Sequence, residues 1–198
     1  MKIRAIAFEF EGTPVELADT NIDTLLERLS EWAVHVRISD IDPDADDAAA
    51  EAEAAAEGPD AIPGVPLDGQ AAVRAQLDQN AAGDLFEEFL AETSSWPSAS
   101  VIGIKPRRSP AGAPLDYTRY LRVRKVGSPK GAFAYATPSS GLVEPRLNFG
   151  TDAELHAIAP QAWRHDKSHE AYRVNIEIVD RATLEQAIAL ARLAYDRT

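Results

Sequence analysis

The residue types best suited to chemistry gather between Lys105 and Tyr135. On a strand predicted over Tyr117 to Val126, Tyr120, Arg122 and Arg124 fall on one face and Leu121 and Val123 on the other. Lys105, Arg107 and Arg108 lie just upstream, and Lys125 and Lys130 just downstream. Phe133 and Tyr135 sit two apart on the next strand, so alternation predicts that they share a face. Cations interleaved with aromatics suit a single-stranded nucleic acid. The charges take phosphates and the rings take bases, each stacked base being worth about 1–3 kcal/mol. The same residues also describe a solvated outer sheet face with two aromatics in the core, or a docking surface for an acidic protein.

A second set is His165 and His169, four apart, with Asp166 and Glu170 beside them. On a helix that spacing would put two imidazoles on one face, as a metal site or an acid–base pair needs. Asp166-Lys167-Ser168 between them reads as a loop, and no third ligand is specified. No metal is therefore assigned. Ser139-Ser140-Gly141 reads as a turn between strands, not a nucleophile elbow. His156 reads as packing or capping, and Trp32, Trp96 and Trp163 as core anchors. There is no glycine-rich dinucleotide or phosphate loop, so no cofactor is predicted.

The segment Ile6-Ala7-Phe8-Glu9-Phe10-Glu11-Gly12-Thr13 resembles the first motif of haloacid-dehalogenase-type phosphatases. The resemblance implies a hydrophobic strand ending in two catalytic acids that work with Mg²⁺. In that family both acids are Asp. Glu9 and Glu11 are each one methylene longer, which displaces the attacking oxygen when productive contact needs about 3–3.5 Å. The later Lys and acidic pair of the family have no counterpart. The segment is read as a hairpin with surface glutamates, and no catalytic residue is assigned.

These residues are carried by a chain of 198 residues with 45% hydrophobic residues, no cysteine and a net charge of -12. The absence of cysteine excludes disulfides, thiolate metal sites and thiol nucleophiles. No apolar run reaches the roughly 18 residues of a membrane span. The opening MKIRAIAFEFEG carries acid and alternates, unlike a secretory or transit segment, so a cytoplasmic location is expected. The charge is divided. Residues 1–100 hold five Lys/Arg against 22 Asp/Glu, whereas residues 101–198 hold 15 against ten. Opposite halves attract each other or serve different partners.

Three parts are expected. Residues 1–39 read as a β-hairpin plus a helix. Residues 40–69 read as an acidic Ala/Asp/Glu/Pro linker, whose removal over 45–63 should leave the fold nearly intact. Residues 70–198 read as a helical segment leading into an α+β domain. Helices are predicted over 71–79, from Asp84 onward as cap, over 153–159 and over 182–195. Strands are predicted over 101–104, 117–126, 132–136, 142–149 and 172–179. Pro145 suggests an edge strand. The fold class is α+β, an antiparallel sheet with flanking helices.

From about Pro129, Gly131-Ala132-Phe133-Ala134-Tyr135, then Leu142 to Asn148, then Ala162-Trp163-Arg164-His165-Asp166 and a strand leading to a last helix ending at Tyr195 follow in a characteristic order. That order resembles the MmcQ/YjbR-like, or double-wing, group of bacterial α+β domains. The resemblance implies a nucleic-acid-linked or partner-binding module of DNA metabolism or defence, without agreed catalytic residues. Three functions stay open: a binding protein whose basic face docks nucleic acid or an acidic protein, a metal-dependent hydrolase using Glu9/Glu11 or His165/His169, and a regulator whose acidic arm mimics nucleic acid. A shortened chain starting near Ser98 should isolate the basic domain. The Asp-to-Glu changes predict no Mg²⁺-dependent phosphate-monoester hydrolysis. A phosphatase rate that falls in Glu9→Gln would overturn this.

Overall fold

The computed structural model describes Gly58 and residues 60–105, 113–165 and 171–198. The chain divides into two compact units, Met1–Asp40 and Ile41–Thr198, and every described residue belongs to the second. The expectations for the N-terminal hairpin and helix, Glu9, Glu11, the Ala/acid run, Trp32, Arg107, Arg108 and His169 lie outside the described residues.

A 3-10 turn, Leu67–Gly69, leads into α1, Gln70–Leu77, and then α2, Gly83–Ser94. Phe86, Phe89, Leu90 and Thr93 recur at helical spacing and form the buried side of α2. Asp84, expected as the cap, lies instead in the first turn behind Ala82, where its charge favours the helix N-terminus. The strands follow: β1 Ala99–Ile102, β2 Leu121–Lys125, β3 Ala132–Thr137 and β4 Leu142–Pro145. A short helix, α3 Asp152–His156, starts in a capping box between Thr151 and Glu154. After β5, Trp163–Arg164, and β6, Val174–Glu177, the chain closes with α4, Arg181–Asp196.

The helix α4 forms for local reasons. Asp180 and Thr183 make a reciprocal capping box at its start. Leu184, Ala187, Leu190, Ala191, Ala194 and Tyr195 then line one buried side. Alanine at three of these positions combines high helix propensity with a close approach to the sheet. The helix packs on α2 and across β3, β4 and β6.

The six strands form one antiparallel sheet in the order β1-β2-β3-β4-β6-β5. With the helices of the described residues this makes an α+β fold, as the sequence predicts. Leu121, Val123, Ala134, Ala136, Val143 and Ile176 join Phe86, Phe89, Trp96 and the α4 side chains in one core. Gly141 turns β3 into β4 at φ +73°, and a Cβ there would stand 2.7 Å from the Ile178 carbonyl oxygen. Among the described residues no helix is long and apolar enough to cross a membrane.

Three expectations are corrected. Phe133 and Tyr135 do not share a face. The β2–β3 register slips between Val123 and Arg124: Val123 pairs with Ala134 but Arg124 with Ala132, leaving Phe133 as an extra residue. Such a bulge interrupts alternation. Phe133 therefore turns to the helices, fully buried, with its ring 5.7 Å from Trp96 and 5.4 Å from Tyr195. Pro145 is not on an edge strand, since β4 lies between β3 and β6. The Arg146 N–H bonds the Phe133 carbonyl, so Pro145 itself owes no donor to β3. Pairing with β6 covers only Leu142 and Val143, and its missing N–H is tolerated there.

The third correction concerns the end of the acidic linker. Ile62 and Val65 are 1% and 0% exposed and belong to the core. The Gln70 side chain accepts from the Ile62 N–H at 2.8 Å and donates to the Ile62 and Val65 carbonyls at 3.1 and 2.7 Å. The packed fold thus begins before residue 70, and a deletion over 45–63 would take Ile62 from the core. Ile62→Ala should cost about 2–5 kcal/mol and Phe133→Ala about 3–5 kcal/mol in denaturant unfolding. A Phe133→Ala loss of under about 1 kcal/mol would mean that the ring lies on the surface.

Candidate functional site

The sheet has one face against the helices and one turned away. Cross-strand partners share a face, and the register therefore sorts the side chains. Ile102 pairs with Arg122, Arg122 with Tyr135, and Tyr135 with Glu144. These four make a row across β1 to β4 on the face opposite Val123 and Phe133. Asn175 and Trp163 pair on the same side at the far end of the sheet. Trp163 is 41% exposed there instead of anchoring the core, because it belongs to a two-residue edge strand whose inward partner is Val174, beside Arg164.

Of the residues singled out in the sequence, Tyr120, Arg122, Arg124 and Tyr135 come together. Arg122 and Arg124 are 2% and 6% exposed, far more enclosed than a solvated strand face would leave them. Tyr120 meets Tyr135 edge to face, with ring centres 5.4 Å apart. Tyr135 continues to Tyr172 at 4.6 Å. The Tyr172 hydroxyl donates to the Ala132 carbonyl at 2.6 Å, which fixes the end of this tyrosine ladder. The Arg146 guanidinium lies 5.4 Å from the centre of the Tyr172 ring and donates to the Tyr172 hydroxyl at 3.3 Å.

The other candidates serve elsewhere. Lys125 lies on the helix side, its Nζ 4.4 Å from the centre of the Tyr195 ring. Lys130 donates to the Arg197 carbonyl at 2.6 Å and so ties down the C-terminal end of α4. Phe133 is core. Lys105 is exposed beyond β1. Sequence reasoning missed Arg146 and Tyr172. Arg146 and Tyr172 fall within strands predicted over 142–149 and 172–179, and nothing in local spacing joins either to Tyr135.

Glu144 is the acid in the row with Arg122 and Tyr135. It is half-buried opposite Tyr135, and among the described residues no hydrogen bond or ion pair reaches its carboxylate. Burial raises its pKa above the ordinary glutamate value, and the nearby His165 opposes the rise. The His165 N–H of the backbone bonds the Arg173 carbonyl at 2.9 Å, and its side chain is exposed at the end of β5. His156, in the last turn of α3, places Nε2 3.1 Å from the Ala162 carbonyl.

The described residues hold no group of three or more His, Cys, Asp or Glu placed to bind a metal ion. Two open clefts of about 230 and 300 Å³ meet at Asn80, on the α1–α2 turn. Their linings include neither the arginines nor the tyrosines of the sheet face. Ser139 and Ser140 line the larger cleft. The Ser140 N–H bonds the Thr137 carbonyl at 3.2 Å in a turn, so the pair is not presented as a nucleophile. The face thus combines enclosed guanidinium groups, adjoining tyrosine rings and a half-buried carboxylate at Glu144. No protein-family model, curated protein or solved structure matches the chain.

The burial of Glu144 has a measurable consequence. A carboxyl whose folded pKa is raised stabilises the fold below its unfolded pKa, about 4.3, and loses that contribution as pH rises through the folded value. Glu144→Gln should therefore melt higher than wild type at pH 7, with the difference shrinking towards pH 4. A difference independent of pH would show that Glu144 keeps its ordinary solvation.

Proposed function

We propose that the protein is a non-enzymatic binding module whose arginine–tyrosine sheet face docks single-stranded nucleic acid. One observation carries this reading: Tyr120, Tyr135 and Tyr172 form a continuous ladder on the face that also holds Arg122 and Arg124, with Arg146 on the last ring. Tyrosine supplies stacking without choosing a sequence, and Arg146, the least enclosed of the arginines, supplies a planar fork that fits phosphate oxygens. The double-wing resemblance supports the same class of function. An acidic protein would meet the same arginines but would have less use for three adjoining rings.

On charge alone, the acidic N-terminal part would compete for the same cations. Residues 1–57 hold four Lys/Arg and 15 Asp/Glu. A tethered polyanion acts at an effective concentration of the order of millimolar. A cut near Ser98 would remove Phe86, Phe89, Leu90 and Trp96 from the core, so the shortened chain that tests competition is 58–198.

Fluorescence anisotropy with a labelled single-stranded oligonucleotide at two salt concentrations tests the reading. Residues 58–198 should bind more tightly than the full chain, with affinity falling as salt rises. Tyr120→Ala and Arg146→Ala, which lie at the two ends of the ladder, should each weaken binding by about five-fold or more. If neither protein binds at low salt, the nucleic-acid reading fails and an acidic protein partner becomes the better account.

A further inference from the structure

Among the groups on the sheet face, Glu144 is out of place for a surface that only tracks phosphates. A carboxylate repels a polyanion, and half-burying one without a bond is costly. Glu144 nevertheless stands in register with Tyr135, in the same cross-strand row as Arg122. Arg122 and Glu144 flank Tyr135 from the two neighbouring strands. Adjacent strands lie about 4.8 Å apart, so the cation and the acid are separated by roughly 10 Å at the backbone. Within that row the flat ring and the acceptor stand side by side, as a stacked base and its edge would need.

We propose that Glu144 is a specificity-determining residue that reads guanine in a bound single strand. This inference rests on the nucleic-acid reading of the same face. An ionised carboxylate has two acceptor oxygens and no donor. Guanine offers two parallel N–H donors, N1–H and the 2-amino group, on one edge. Adenine and cytosine offer a single amino group beside an acceptor nitrogen, which a carboxylate opposes. Thymine offers one N–H between two carbonyl oxygens. Unstacked bases of single strands expose these edges for recognition. With the guanine ring against Tyr135, its donors would satisfy the open carboxylate, and the phosphate would turn towards Arg146, the least enclosed of the three arginines.

The test uses the full chain and two labelled oligonucleotides of identical mixed sequence, one with a central guanine and the other with hypoxanthine in its place. Hypoxanthine keeps N1–H and the ring but lacks the 2-amino donor. The guanine oligonucleotide should bind about ten-fold more tightly, within the range of a bidentate contact. Glu144→Gln presents a donor to the 2-amino group and should bring the ratio near one, with folding checked by thermal melting. Glu185→Gln, an exposed carboxylate on α4, should keep the wild-type ratio. Equal binding of the two oligonucleotides by wild type would overturn the proposal and leave the nucleic-acid reading standing. A ratio that survives in Glu144→Gln would overturn it too, as would a folded Glu144→Gln that loses both affinities alike. Absence of binding at low salt by the full chain and by residues 58–198 alike would overturn both readings together.

Discussion

The single extra residue in β3 governs both faces of the sheet. Where Arg124 pairs with Ala132 instead of Phe133, alternation breaks and Phe133 swings to the helices. Its ring there meets Trp96, which ends the α2 segment, and Tyr195 from the last helix. Trp96 and Tyr195 also touch each other at 5.2 Å, so three aromatics close a cluster joining elements from both ends of the described fold. Beyond the bulge, alternation resumes and leaves Tyr135 on the opposite face beside Arg122. Regular pairing would put both aromatics on one face. The core would then lose its central ring, or the open face its middle tyrosine.

The cations divide by the same geometry. Those on the helix side have become part of the fold's closure. Lys125 and Arg192 lie against the Tyr195 ring, with Arg192 also 5.2 Å from Trp96. Lys130 and Ser128 hold carbonyls at the chain's last residues, Arg197 and Thr198. The Tyr195 hydroxyl donates to the Pro97 carbonyl at 2.6 Å. Hydrogen-bonded and stacked charges of this kind spend their interaction energy on holding α4 in place. On the tyrosine side Arg122 and Arg124 are enclosed, and Arg146 donates to the Lys130 carbonyl and the Tyr172 hydroxyl.

The polar face is consistent with a site held by a rigid scaffold. Each of its side chains but Arg146 and the two outer tyrosines comes from a paired strand, and the row Arg122, Tyr135, Glu144 is set by backbone register, not by loop conformation. A half-buried carboxylate beside Tyr135 reduces stability in its ionised form.

Local signals decided much of this protein before any folding. The apolar spacing of Phe86, Phe89 and Leu90, the run from Leu184 to Tyr195 and the alternation of Leu121 and Val123 specify helices and strands because those periods act over a few residues. The Gly141 turn and the division of charge between the two halves were equally legible. Tertiary structure alone decided the β3 bulge, the interior place of β4 despite Pro145, the packing of Ile62 beside α1, and the meeting of Arg146 and Tyr172 with Tyr135. Each depends on which distant segments pair and in what register. A one-residue slip reverses the face of a side chain without changing the sequence around it, so residue type at Phe133 could indicate burial or binding but not choose between them.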